Sequence, residues 1–164
     1  MSAMVQYRRA RLSGGIYFLT AALDERGSTL LVDHVTTLRL AFRLSIQRRP
    51  FRIDAVCILP DHMHLLMTLP PGDADFSGRM RLIKAGFTRL LKRRGVRLRI
   101  NDRGEHALWQ RRFWEHLIRD DDDYARHVDY IHYNPVKHRL VTNPADWPWS
   151  SYHRFVRNGG CPLS

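Results

Sequence analysis

The sequence predicts an α+β domain of ferredoxin-like type: an antiparallel sheet with helices packed on one face, followed by a C-terminal tail. Three observations carry this. The hydrophobic period switches between two and 3.6 in the order strand, helix, strand, strand, helix, strand, helix. Its first six elements match a split β-α-β arrangement. The second and third strands are joined only by Pro60-Asp61, so they form an antiparallel hairpin. At 164 residues, with no repeat, low-complexity tract or linker, the chain holds one core and not two.

The elements follow in order. Residues 1–13 form a basic arm, with Arg8, Arg9 and Arg11 around Tyr7. After Gly14-Gly15, Ile16 to Leu23 is the first strand. Asp33 is placed to cap a helix through about Gln47, with Val35, Leu38, Phe42 and Ile46 at helical spacing before Arg48-Arg49-Pro50. Phe51 to Ile58 is the second strand, and the third begins at His62 and ends at Pro70-Pro71-Gly72-Asp73. A helix over Phe76 to Arg94 follows, with a stripe of Ile83, Phe87, Leu90 and Leu91. Val96, Leu98 and Ile100 alternate with arginines as a short ribbon or loop flank. Arg112 to Ile118 is the fourth strand, and Tyr124 to about Asn134 the last helix. The acidic run Asp120 to Asp123 suits that helix's N-cap and dipole better than it suits a cation.

Composition narrows the function. Hydrophobic content of 44% and charged content of 26% are ordinary for a globular protein. The net charge of +11 is not, and it favours a polyanion, nucleic acid first and anionic membrane second. From Arg79 to Arg99 stand nine basic residues and no acidic one, among them Arg79, Lys84, Arg89, Arg93, Arg94 and Arg97. A solvated face would mix signs, so this segment suits a phosphate backbone. Cys57 and Cys161 make neither a metal pattern nor a disulfide framework, which suits a reducing cytoplasm. The longest apolar run, Gly15 to Leu23, is half of a membrane span, so a soluble cytoplasmic protein is expected.

The chemistry gathers in two places. His62 and His64 are separated by one residue at the start of a strand, so both project to one face, about 7 Å apart along the backbone. Two imidazoles so placed can close on one metal ion; read alone, the pair is more often a packed histidine beside a surface one. In the last helix, Tyr130 and Asn134 are four apart and share a face away from the apolar stripe of Tyr124, Val128 and Ile131. Tyr130 can be core filler, a base-stacking platform or a nucleophile. Asn134 can equally cap whatever begins at Pro135.

Together these residues resemble a known set. His62-Met63-His64 entering a strand, followed by Tyr130-Ile131-His132-Tyr133-Asn134-Pro135-Val136-Lys137-His138, resembles the HUH single-tyrosine transposases. The nearer resemblance is to REP-associated tyrosine transposases. It takes in Arg112-Phe113-Trp114-Glu115-His116, Trp147-Pro148-Trp149 and the chain from about Tyr7 to Tyr152. It implies the HUH endonuclease fold over residues 1–141, with 142–164 as a tail. It implies Tyr130 as nucleophile, and His62, His64 and Asn134 as ligands of Mg²⁺ or Mn²⁺. The implied substrate is single-stranded DNA carrying a REP-type hairpin and an adjacent tetranucleotide, cut and rejoined through a 5′-phosphotyrosine. DNA contacts are expected from the basic arm, the basic segment, Arg112 and Trp114. A monomer is favoured over a dimer, in the cytoplasm at the nucleoid. Alternatives are a non-catalytic nucleic-acid binder, a hydrolase using water, and a related insertion-sequence transposase. Two departures stand out: Arg139 replaces a family glycine, and the segment from Arg93 to Gly104 is longer than the family pattern.

Overall fold

The structure is a computed structural model and describes residues 11–160. Arg8, Arg9 and Cys161 lie outside the described residues. The elements are β1 (Ile16–Ala22), α1 (Leu30–Asp33), α2 (Val35–Arg48), β2 (Arg52–Ile58), β3 (His62–Thr68), α3 (Phe76–Arg93), β4 (Trp114–Leu117), α4 (Asp121–Lys137), a 3₁₀ turn (Pro144–Asp146) and α5 (Tyr152–Arg157). The strands form one antiparallel sheet in the order β2-β3-β1-β4, the split β-α-β order expected.

β3 is central, and its alternation assigns each face. Met63, Leu65 and Met67 join Tyr17, Leu19 and Ala21 beneath α2 and α3. Leu66 points the other way with Phe18, Ala55 and Cys57, beneath Val128 and Ile131 of α4. The helices of the split β-α-β core thus share one face, and α4 covers the other. The register shift between Ile53 and Ala55 places Ile53 with the first cluster and Ala55 with the second.

Several boundaries differ from the expectation. Asp33 does not cap the long helix; it ends α1, where its carboxylate accepts from the Thr29 hydroxyl at 2.6 Å, and His34 precedes α2. β4 is confined to Trp114–Leu117. No strand forms at Val96 to Ile100 beyond an isolated bridge from Ile100 to His106. α4 begins at its Asp120 cap, as the acidic run suggests, and runs through Pro135 to Lys137. Asn134 is therefore inside the helix and caps nothing.

α4 closes with a Schellman motif: Leu140 N–H donates to Pro135 O and Arg139 N–H to Val136 O, both at 2.9 Å. Arg139 takes the left-handed conformation, φ 58°, where glycine is usual. The tail then runs along the free edge of β2. Ile58 N–H donates to Trp149 O, Ser151 N–H to Val56 O, and the Trp147 indole N–H to Ile58 O. This satisfies backbone groups an edge strand would otherwise expose.

Candidate active site

His62 and His64 lie side by side on the α4 face of β3, their ring centroids 5.0 Å apart. Both are buried. Each ring is held by a hydrogen bond at Nδ1: His62 to Asp61 Oδ1 at 2.7 Å, and His64 to the Thr20 hydroxyl at 2.7 Å. Thr20 stands directly opposite His64 in the β1–β3 register. Burial alone would raise the Asp61 carboxyl, but Gly27 N–H, His62 and Arg26 together hold it below the ordinary range. Burial, with the charges of His62, His138 and Lys137, pushes His64 down to about 3, against an opposing hydrogen-bonding influence of the adjacent Asn134 amide. It is a neutral imidazole at physiological pH, the form that ligates metals.

α4 crosses above this pair. Asn134 is fully buried beside His64, and neither its amide oxygen, its amide nitrogen nor Nε2 of His64 makes a hydrogen bond of good geometry, although the amide lies near enough to His64 to favour its protonated form. Orphaned buried polar atoms cost about 1–3 kcal/mol each. Their clustering at donors of nitrogen and oxygen type fits a divalent cation. One turn earlier, the half-exposed Tyr130 ring lies 5.4 Å from His64 and 5.8 Å from Phe18. Lys137 Nζ sits 4.8 Å over the Tyr130 ring and donates to its hydroxyl at 3.4 Å. His138, one turn beyond Asn134, brings its ring to 4.9 Å from His62.

The structure thus gathers Tyr130, His62, His64 and Asn134 at one place. Thr20, Asp61, Lys137 and His138 also belong there, though the sequence did not single them out. His138 had a signal, since it stands four residues after Asn134 on a helix that continues through Pro135. A further group, His116, Asp123 and His127, brings one ligand atom from each within 4.8 Å.

The expected DNA contacts divide. Arg79 is a correction: its side chain is 2% exposed, and it donates to Pro50 O, Asp75 O and Asp73. It ties α3 to the preceding loops and has no face for a phosphate. Lys84 is half-buried and donates to Gln110 O at 3.0 Å. Arg11, Arg89, Arg93, Arg94, Arg97, Arg112 and Trp114 are exposed. Arg89 and Arg93 line a groove of about 720 Å³ along α3, with Arg81, Lys92, Trp109 and Phe113. This groove is on the α2/α3 side of the sheet, whereas Trp114 lines a cleft beside Tyr130.

Residues 13–134 match the family model described as "Transposase IS200 like". The chain belongs to this transposase family. A protein of Escherichia coli K12 named REP-associated tyrosine transposase is 45% identical over 160 residues, covering 98% of this chain and 90% of its own. A Haemophilus influenzae relative, provisionally given the same name, is 47% identical over 156 residues, covering 94% of this chain and 89% of its own. The solved structure of a REP-associated tyrosine transposase bound to a REP hairpin is 45% identical. It superimposes with a TM-score of 0.84 over 97% of this chain and 89% of that one. Family and fold agree with the resemblance read from the histidine pair and the tyrosine helix. Among the described residues no helix is long and apolar enough to cross a membrane.

Proposed function

We propose that this transposase cleaves and rejoins single-stranded DNA beside a REP-type hairpin, with Tyr130 as nucleophile and His62, His64 and Asn134 as ligands of Mg²⁺ or Mn²⁺. The observation that carries it is the pair of buried, partnerless ligand groups, His64 Nε2 and the Asn134 amide, next to a half-exposed tyrosine. Single orphans occur elsewhere, at Thr37 and His106, but here ligand-type atoms of two residues are gathered at one place.

Two neutral nitrogens and an amide oxygen leave open coordination positions. A divalent ion there would polarise a non-bridging phosphate oxygen and ease departure of the 3′-oxygen. Tyr130 Oη attacks phosphorus; the Oη–P bond forms and the P–O3′ bond breaks, giving a 5′-phosphotyrosine and a free 3′-hydroxyl. The phosphodiester energy is retained, so rejoining needs no ATP. Lys137 steadies the ring and the developing charge on its oxygen. Residues 1–141 carry the chemistry and 142–164 serve as a tail.

The hairpin partner is supported by the relatives' names and by the REP hairpin in the solved relative. An adjacent tetranucleotide, a monomeric state and a cytoplasmic, nucleoid-associated location complete the reading. DNA contacts are assigned to Arg8, Arg9, Arg11, Lys84, Arg89, Arg93, Arg94, Arg97, Arg112 and Trp114.

The test is incubation with labelled REP-type hairpin DNA and Mn²⁺, followed by a denaturing gel. A labelled protein–DNA band is expected from the wild type and none from Tyr130→Phe, with DNA affinity within a few-fold. Cleavage without an adduct would replace this reading with a water-dependent hydrolase. Binding without cleavage would leave a nucleic-acid-binding module.

A further inference from the structure

His127 lies one turn before Tyr130 on α4, and its ring is fixed from behind. Nδ1 is 2.7 Å from the Asp123 carbonyl oxygen and 3.3 Å from Asp123 Oδ1. A carbonyl only accepts, so Nδ1 carries a proton and donates it, and in the neutral ring Nε2 then holds the lone pair. Asp123 is itself immobilised. Its buried carboxylate meets His116 Nε2 at 2.8 Å, accepts from Arg119 N–H at 3.0 Å, and is flanked by the Arg119 and Arg126 guanidiniums at 3.7 and 3.5 Å. Those two cations make a poor surrounding for a metal ion, and the cluster reads as a clamp on His127. The imidazole stacks on His116 with centroids 4.7 Å apart and leans on Phe18 at 4.7 Å.

Phe18 also touches Tyr130 and His64, and His127 and Tyr130 line one cleft of about 670 Å³. A tyrosine hydroxyl must lose its proton to become a competent nucleophile. Around this cleft, Lys137 already donates to Oη and, as an ammonium, accepts nothing. Arg126 cannot accept either. His64 has Nδ1 on Thr20 and Nε2 turned to the candidate metal set. His116 is not part of the cleft's lining, and Asp123 is buried and engaged. Among the described residues that line the cleft, His127 Nε2 is the imidazole nitrogen left without a hydrogen-bond partner or a metal role.

We propose that His127, held by Asp123, is the general base that takes the Tyr130 hydroxyl proton during cleavage and returns it during rejoining. This rests on the reading of Tyr130 as nucleophile. In cleavage the Oη–H bond breaks and the proton passes to Nε2, directly or through one water. Oη bonds to phosphorus, and the P–O3′ electron pair stays on the 3′-oxygen, which takes a proton from solvent. In rejoining the 3′-hydroxyl loses its proton to solvent, and Nε2–H protonates Oη as it leaves. Asp123 is a positioning residue.

The experiment is single-turnover cleavage at saturating Mn²⁺ with wild type, His127→Ala, His127→Gln and Asp123→Asn, each with and without imidazole. Expected for both His127 variants is a loss on the order of 10²- to 10⁴-fold. DNA affinity should stay within about threefold and the half-saturating Mn²⁺ concentration should be unchanged, while the melting temperature falls by a few degrees for the lost ring contacts, leaving both variants folded at the assay temperature. Added imidazole should restore His127→Ala in proportion to its concentration, and rejoining should be slowed in parallel. Asp123→Asn should lose less. Three results would overturn the proposal: His127 variants cutting at wild-type rate, a well-folded His127→Ala that imidazole does not restore, or a shifted Mn²⁺ requirement. A wild type without a covalent adduct would instead overturn the nucleophile reading and take this proposal with it.

Discussion

Thr20 and His64 face each other across the β1–β3 ladder, and the threonine hydroxyl sits 2.7 Å from Nδ1 of the imidazole. In the tautomer that donates Nδ1–H to Thr20, Nε2 is left to ligate, and the bond favours the ring's present orientation. Partners of this kind are typically worth 10- to 100-fold in metal affinity. Thr20→Val keeps the shape and removes the hydroxyl. We expect the Mn²⁺ concentration for half-maximal cleavage to rise by about tenfold or more, and folding stability to fall by about 1–3 kcal/mol because the buried Nδ1 loses its partner. An unaltered Mn²⁺ titration would detach Thr20 from the metal site.

Chelation gives a broader check. EDTA should remove cleavage by the wild type, and His62→Ala or His64→Ala should do the same in excess Mn²⁺. Asn134→Ala should be partly restored by high Mn²⁺, because a neutral amide is the weakest of the three ligands. Full activity in chelator would end the metal reading.

Arg139 holds the left-handed position that ends α4, φ 58°, at a cost of about 1–2 kcal/mol for a residue with a Cβ. Glycine there loses more entropy on folding, which offsets about 0.5–1 kcal/mol. Arg139→Gly should therefore stabilise the protein by about 0.5–1 kcal/mol, raising the melting temperature by roughly 2–3 °C. A lower melting temperature would mean that the arginine side chain contributes more than its backbone strain costs.

What the sequence revealed depended on how local the signal was. A period of two placed His62 and His64 on one face, and a spacing of four aligned Tyr130 with Asn134; both relations follow from backbone geometry and both are present. The hairpin followed from its short turn. Thr20 was invisible because its partnership exists only in the strand register. Arg79 was misread because counting charges along a segment cannot distinguish an arginine facing solvent from one drawn inward by three carbonyl or carboxylate partners. Pro135 argued for a helix end, but the helix continued because His138 and Leu140 still find carbonyls in its last turn.

Asp73 tests the structural role of Arg79. The Arg79 guanidinium donates to it at 2.7 Å, and with the Asp75 N–H holds its carboxyl down to about 2. The folded state binds fewer protons than the unfolded state between that value and the ordinary one near 4. This stability is therefore present above about pH 4 and lost as pH falls toward 2. Because the carboxylate is partly solvated, its worth is about 1 kcal/mol rather than the full shift. Asp73→Asn should cost that much at neutral pH by urea denaturation, with the difference shrinking below pH 4. A pH-independent difference would mean that shape, not charge, holds the loop.

The groove along α3 is built for a phosphate backbone. Arg81, Arg89 and Arg93 recur at helical spacing on its wall, with Trp109 and Phe113 opposite, and acidic residues are missing from its lining. If a DNA backbone lies there, binding should weaken steeply with salt, with a log–log slope of roughly −0.7 to −0.9 per neutralised phosphate. Replacing the three arginines by Gln should flatten that slope by about two to three units. It should weaken all sequences alike, because phosphate contacts position a strand without reading it. Arg94 and Arg97 are exposed beyond the helix end and outside the groove lining. Their double replacement should change the slope by less than one unit if the groove is the path, and by about 1.5 if the whole segment follows the backbone. Adduct formation by Tyr130 at saturating DNA should survive in both variants, since neither touches the site on the opposite face of the sheet. A triple mutant with an unchanged salt slope would make the groove a solvated surface and leave Tyr130 and its histidines as they stand.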